Sequence, residues 1–271
     1  MIQCDNYIIK TMQVRLIART TGVENTEYYG KSIDEIITGI ARISSSREIN
    51  ELFEEPHKLL RHCILNGHWS VFTESNLIFE IVTSRAMGRE LLRHWSIRPQ
   101  EFSQRYAEIT KFEEIEIRKQ SKNNRQSSTE IFDPVLYGNE QLNLEIKASD
   151  IVRDALDYCQ GAYKTLINAG VARESARYIL PETTETRLIM NGTVREWITT
   201  LNQRLHQTAQ KECRLIAESI RDFLLVECPI ICKALYNFED AYYIHILERV
   251  TLEKYGVYKM IKDNDFKKLK L

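Results

Sequence analysis

The stretch "NLIFEIVTSRAMGRELLRHWSIRPQEFSQRY", residues 76–106, changes its period once and its chemistry twice. Leu77, Phe79 and Ile81 alternate with other residues, which places them on one face of a β-strand. From Ser84 the apolar spacing becomes helical, and Pro99 is expected to end that helix because it lacks an N–H and clashes with the preceding turn. Arg93, Arg98 and Arg105 follow within thirteen residues. They cannot all face one side of a regular helix, so the loop after Pro99 is expected to fold some of them toward a common anion. Guanidinium forks suit carboxylate or phosphate. Ser103 adds a hydroxyl donor to the same anion, and Glu101 among these cations is expected to bond a sugar hydroxyl or orient an arginine.

Outward from this stretch, "MQVRLIART" (12–20) reads as a half-buried strand. "SIDEIITGIARI" reads as a helix opened by a Ser32/Glu35 capping box. "EEPHKLLRHCILNG" reads as a second helix, with Gly67 as its C-terminal cap. On the other side, Lys119 to Gln141 is polar and reads as a long surface loop. Ser149 is placed as the cap of a long helix from Asp150. "ARYILPETTETRLIM" gives a turn at Pro181 and then a strand. "VREWITTLNQRLH" and "AQKECRLIAESIRDFLLVE" are two helices, or one bent helix, separated by little more than Gln207 and Thr208. The tail from Tyr242 to Leu271 ends in "KMIKDNDFKKLKL" and is expected to form a peripheral extension.

The totals restrict function. Of 271 residues, 43% are hydrophobic, enough for a sizeable core. Lys and Arg number 37 against 38 Asp and Glu, so no overall field attracts nucleic acid or a membrane and any phosphate site must be local. Neither partner is expected. Cys4, Cys63, Cys159, Cys213, Cys228 and Cys232 show no CxxC pair or zinc-ligand spacing and read as buried free thiols. The N-terminus lacks a signal-peptide pattern and no long apolar run is present, which places the protein in a reducing cytoplasm.

A second cationic cluster accompanies the first. "ARYILP" and "TVREWITTLNQR" supply Arg177, Arg195 and Arg204 beside Tyr178 and Trp197. Arg195 and Arg204 lie roughly 14 Å apart along a helix axis, which requires one long ligand or two ligands. The competing reading is a set of solvated, salt-bridged faces. "GHWSVF" (67–72) offers His68 and Ser70 just before a strand. His57, His62 and His68 do not fall at helical zinc spacing, and GxGxxG, GxxxxGK[ST] and GxSxG are absent. No cysteine sits in a setting that suggests a nucleophile.

In order, these stretches resemble the flavin-dependent thymidylate synthases, the ThyX family. That family's signature is an RHR triplet, seven residues, then serine, continuing to RY. Here "RHW" and "SIRPQEF" precede Ser103, Gln104, Arg105 and Tyr106. "GHWSVF", "ARYILP", "TVREWITTLNQR" and "AQKE" match in the same order, and the resemblance runs from about Met12 to Phe238. It implies an α/β (α+β) fold, a central antiparallel or mixed sheet flanked by long helices. One catalytic domain would span residues 1–271, assembled as a homotetramer, with 119–141 a surface loop and 242–271 peripheral. It further implies FAD as cofactor, with NADPH and methylenetetrahydrofolate as co-substrates and a pyrimidine nucleoside monophosphate, foremost dUMP, as substrate. No cysteine attacks the pyrimidine in that family.

Carried over by position, the resemblance places His68, Ser70, Arg93, His94, Trp95, Glu101, Thr193, Val194, Arg195 and Thr199 at the flavin. Glu90, Leu91, Leu92, Arg93, Glu101, Phe102, Ser103, Gln104, Arg105, Arg177 and Arg204 would surround the nucleotide, with Ser103 and Arg105 at its phosphate. Arg204 matches the arginine that stabilises the ionised N3 side of the ring, the catalytic role. The pattern is broken at Trp95, Arg98, Thr73, Thr193 and Thr199, all on the flavin or folate side. Either Arg98 restores the charge lost at Trp95 and dUMP methylation is intact, or the altered residues mark methyl or hydroxymethyl transfer to dCMP or UMP. A nucleotide- or RNA-binding protein that lost catalysis is the remaining reading.

Overall fold

The computed structural model describes residues 12–44, 48, 51–109, 111–139 and 144–236. Cys4 and the 242–271 extension lie outside them. The elements in chain order begin with β1 (Gln13–Arg19), α1 (Ile33–Arg42), α2 (Pro56–Leu65), β2 (Asn76–Ser84), α3 (Arg85–Leu92) and β3 (Arg98–Glu101). The short strands β4 (Arg118–Gln120), β5 (Ser128–Ile131), β6 (Val135–Asn139) and β7 (Leu144–Lys147) follow. The remainder is α4 (Ala148–Asn168), α5 (Arg173–Ala176), β8 (Glu185–Thr193), α6 (Val194–Arg204), α7 (Lys211–Glu227) and α8 (Pro229–Tyr236).

These pack as two compact units, one from the described residues of 1–20 and 72–220, the other from those of 21–71 and 221–271. The first unit is organised by a four-stranded sheet in the order β1-β2-β8-β3. Every pairing in it is antiparallel, so the antiparallel alternative holds over the mixed one. Leu77, Phe79 and Ile81 of β2 are fully buried, as their alternation predicts. Phe79 meets the indole of Trp197 edge to face at 4.9 Å, and Trp197 Nε1 donates to the Leu77 carbonyl at 3.1 Å. Gly192 lets that indole close on β8, because a Cβ there would stand 3.1 Å from Trp197 Nε1.

Three elements differ from the sequence expectation. Helix α3 ends at Leu92, seven residues before Pro99, and residues 98–101 form β3 rather than loop. Pro99 fits there because β3 is an edge strand, where a missing N–H costs no ladder bond on its open side. The described residues of the expected 119–141 loop carry regular structure: β4 pairs with β5, and β6 pairs with β7 beyond it. Helix α4 begins at Ala148 with Lys147 at the cap position, whose N–H donates to Asp150 at 2.9 Å. Ser149 instead donates its N–H and hydroxyl to Asp133, at 2.8 and 2.6 Å. As the first of the two readings expects, α6 and α7 are separate helices with residues 205–210 between them, and Arg214 bonds the carbonyls of Gln207 and Ala209 in that link.

The second unit rests on α1, α2 and α8. Ser32 and Glu35 form the expected capping box of α1. Gly67 follows α2 with φ near 70°, the left-handed conformation that glycine adopts freely. On the buried side of α1, Asp34 is 1% exposed and accepts the first free N–H groups of α8, from Ile230 at 2.8 Å and Ile231 at 3.2 Å. One helix thus caps another across nearly two hundred residues of chain, satisfying donors that burial would otherwise strand.

Candidate functional site

The end of α3, the edge strand β3, the loop after it and α6 are held on the first unit's sheet. Helix α3 packs closely on β8 at Gly88, where an added Cβ would meet the Thr186 methyl at 3.0 Å. Thr193 starts α6 with a capping box, its hydroxyl accepting from Glu196 N–H. These two anchors bring residues 110 and more positions apart into one cluster.

Its centre is Arg204, at the last turn of α6. The Nε–H donates to His94 Nε2 at 2.8 Å, Nη1 to the Glu90 carboxylate at 2.6 Å, and Nη2 to the Glu90 carbonyl at 2.8 Å. Three directions of the guanidinium are therefore fixed before any ligand arrives, and the Arg204 side chain keeps 18% of its exposure for one. Burial, then Arg204, then Arg93 hold His94 down to about 4, so its ring is neutral near pH 7 and accepts from Arg204. The thiol of Cys213 on α7 also bonds Glu90, and burial chiefly pushes it up to about 12. Cys63 is likewise raised by burial, and Cys228 by its bond with Cys232 and by burial. These three thiols are the opposite of activated nucleophiles.

Glu101 ends β3. It accepts from the Thr186 hydroxyl at 2.9 Å and lies 3.9 Å from Arg85. Sequence reading missed Arg85 and Thr186 here, since their link to Glu101 exists only through the β3–β8 pairing and the α3–β8 packing. Beyond Glu101, the Phe102 ring joins a core cluster of Ile109, Tyr163 and Ala176, which pins the following loop beside α5. On that loop the Ser103 hydroxyl accepts from Arg105 N–H at 3.3 Å. Arg105 faces Glu174 at 3.6 Å with both side chains more than half exposed, a pair weak enough for a stronger anion to displace. Gln104 is 5% exposed, and its Nε2 has no partner among the described residues. An orphaned buried donor beside Ser103 and Arg105 is what a ligand acceptor would satisfy. Arg177 follows Ala176 of the same cluster, its guanidinium 5.9 Å from the Tyr178 ring.

The flavin-side positions divide. Arg195 and Thr199 are exposed and one helical turn apart on α6, and Arg93 is exposed at the end of α3. Trp95 is 93% exposed. Thr193 is engaged in capping, and the Thr199 hydroxyl donates to the Arg195 carbonyl at 3.0 Å. Leu91 and Val194 are core residues, 2% and 0% exposed, so their side chains are turned from any ligand, while Leu92 is half-buried. Thr73 bonds Glu74 at 3.1 Å, so a carboxylate stands one position beyond the place it was expected. His68 and Ser70 belong to the second unit, where both are exposed, and the rings of His62 and His68 lie 5.7 Å apart. The described residues contain no cluster able to hold a metal ion.

Fold and cluster define a mixed α/β protein whose cations gather on α3, β3, the loop after β3 and α6. The model of the Thy1 family, thymidylate synthase complementing protein, matches residues 26–230. A flavin-dependent thymidylate synthase of Synechocystis sp. is 36% identical over 83% of this chain and 99% of its own length. A probable flavin-dependent thymidylate synthase of Paramecium bursaria Chlorella virus 1 is 33% identical over 74% of this chain and 90% of its own. Among solved structures, a UMP/dUMP methylase PolB from Streptomyces cacaoi, bound with 5-Br dUMP, shares the fold with a TM-score of 0.63 and 21% identity. That match covers 84% of this chain and 95% of the other. The chain belongs to the thymidylate synthase complementing protein family, as the ordered motifs around "RHWSIRPQEFSQRY" imply.

Proposed function

We propose that the protein transfers a one-carbon unit from methylenetetrahydrofolate to C5 of a pyrimidine nucleoside monophosphate, with dUMP as substrate, FAD as cofactor and NADPH as reductant. The observation that carries this reading is the fixed guanidinium of Arg204, held by Glu90 and a neutral His94. A cation whose geometry is set in advance stabilises negative charge that develops on a ring without reorganising first. Arg204 thus favours the electron-rich, N3-ionised pyrimidine that attacks the one-carbon unit.

The phosphate of the nucleotide is assigned to Ser103, Gln104 and Arg105, with Arg177 beside them. There the buried Gln104 amide gains its missing acceptor and Arg105 exchanges a solvent-exposed carboxylate for a dianion. Glu101, braced by Thr186 and Arg85, orients the sugar or the ring. The donor set on α6 fits a flavin diphosphate: Arg195 is exposed in the first turn of an eleven-residue helix, where N–H groups and the helix dipole favour anions. Arg93, His94, Trp95 and Thr199 complete the flavin assignment. Bound FAD supplies hydride for reduction of the transferred carbon. The chain works as one catalytic domain and assembles as a homotetramer, in which Trp95, Tyr106 and Tyr178, each more than four-fifths exposed on the single chain, are covered.

The test is an assay of the purified protein with FAD, NADPH and methylenetetrahydrofolate against dUMP, dCMP, UMP and CMP in parallel, reading product mass. A methyl gain on dUMP supports the reading. Methyl or hydroxymethyl on dCMP or UMP instead makes Trp95, Arg98, Thr73, Thr193 and Thr199 a change of specificity, and no product from any nucleotide overturns it.

A further inference from the structure

Away from the residues assigned so far, the β4–β5 hairpin and the start of α7 border an open cleft of about 250 Å³. Its lining includes Arg118, Arg125, Lys211 and Arg214, with the Ser128 hydroxyl among the polar groups. Two carboxylates stand behind these four cations. Arg118, whose side chain is only 10% exposed, donates from Nη2 to both Glu212 carboxylate oxygens at 2.7 and 2.8 Å and from Nη1 to Glu116. Lys211 bonds Glu116 at 2.9 Å. Arg125 and Arg214 make no ion pair among the described residues, so two positive charges in the lining are uncompensated.

The turn that carries Arg125 and the side chain of Arg214 are held in place without a ligand. The Gln120 amide donates to the carbonyls of Ser121, Asn124 and Ser127, closing the turn that carries Arg125. Arg214 donates from Nη1 to the Gln207 and Ala209 carbonyls, at 3.1 Å each, which leaves Nε and Nη2 for another acceptor. The volume equals that of about eight water molecules at roughly 30 Å³ each, room for a phosphate and the sugar that bears it. An ion-paired base at the back, the half-bonded guanidinium of Arg214, the exposed guanidinium of Arg125 on its closed turn and a serine form a receptor for a dianion with several oxygen acceptors.

We propose that this cleft is a phosphomonoester site, taking the dianionic phosphate of a nucleotide other than the one assigned to Ser103 and Arg105. The cleft sits next to the reaction chemistry in the chain, since Gln207 follows Arg204 by three residues and Cys213 on α7 bonds Glu90. The phosphate has two possible sources: the 2'-phosphate of NADPH, which rests on the proposed function, or a free mononucleotide, which does not.

The experiment uses the full chain supplied with FAD and saturating dUMP, so that the other phosphate positions are filled. Inorganic phosphate and 2',5'-ADP are titrated calorimetrically against wild type, Arg125→Gln and Arg125→Glu. Arg125 is exposed on a turn, so both variants keep the fold. The expected result is saturable binding of one phosphate per chain that weakens with added salt, falls about fivefold in Arg125→Gln and falls further in Arg125→Glu. No saturable binding to wild type, or binding that neither variant changes, overturns the site. The titration needs no turnover, so failure of the proposed one-carbon chemistry leaves it readable. The source follows from flavin reduction in the same variants. A raised KM for NADPH with that for NADH unchanged identifies the 2'-phosphate, and unchanged reduction alongside weakened phosphate binding identifies a free nucleotide; either supports the site.

Discussion

Arg204 and Arg105 are both arginines in one cluster, yet their surroundings assign them different work. Arg204 is fixed on three sides by Glu90 and His94, whereas Arg105 holds only an exposed carboxylate. Steady-state kinetics should therefore separate them. Arg204→Ala is expected to lower kcat by about a hundredfold with a modest change in KM for dUMP, and Arg105→Ala to raise that KM about tenfold with a smaller effect on kcat. Equal effects of both on KM alone would contradict the catalytic role. His94 gives a second check. Its folded value lies below the usual 6.5, so its stabilising contribution is complete above about pH 6.5 and lost as pH falls toward 4. In an NMR titration its ring should stay neutral at pH 5.5, and Arg204→Ala should move its titration upward. The two arginines and His94 were legible in the sequence as members of a motif. That Arg204 and His94 touch was not, because 110 residues and two helices separate them.

At the scale of elements, helix capping separates what neighbouring residues decide from what packing decides. The Ser32/Glu35 box is local in sequence, three residues apart, and α1 starts there. Asp34, its neighbour, reads as one more acidic residue of a first turn, yet it is buried and caps α8. Burial raises its carboxyl to about 7 against the two N–H bonds that lower it, with Glu35 adding a smaller upward push. The folded protein then holds a proton that the unfolded chain releases near pH 4. Stability contributed by this group is present below about pH 4 and declines as pH rises to 7. Urea unfolding should show that decline. Asp34→Asn, which keeps an oxygen for the α8 donors and carries no charge, should abolish it and exceed wild type in stability at pH 8. A variant less stable than wild type at pH 8 would mean that the ionised carboxylate is the better cap. Strand β3 has the same lesson. Pro99 forbids helix continuation, but whether the chain then loops or extends was decided by the open edge of β8.

For the whole molecule, large exposed aromatic residues on the site loops call for a covering surface. In sedimentation equilibrium the protein should run at about four times its 31.8 kDa chain mass. Tyr178→Glu, which puts a charge on a residue 82% exposed in the single chain, should shift that mass downward; a monomer in wild type would refute the assembly. By itself the sequence determined whatever is periodic or contiguous: the buried face of β2, the α1 box, the C-terminal cap of α2, and the ordered motifs that assign the family. Such features depend on residues within a few positions of one another, whose side chains meet by the geometry of strand or helix alone. The tertiary structure decided what pairing and packing over long separations create. It set the all-antiparallel order β1-β2-β8-β3, the pairing of β4 with β5 and of β6 with β7, the bracing of Glu101 by Thr186, and the clamp of Glu90 and His94 on Arg204. The arginine cleft beside α7 is of this kind too, since its cations come from stretches some ninety residues apart that only the folded chain brings together.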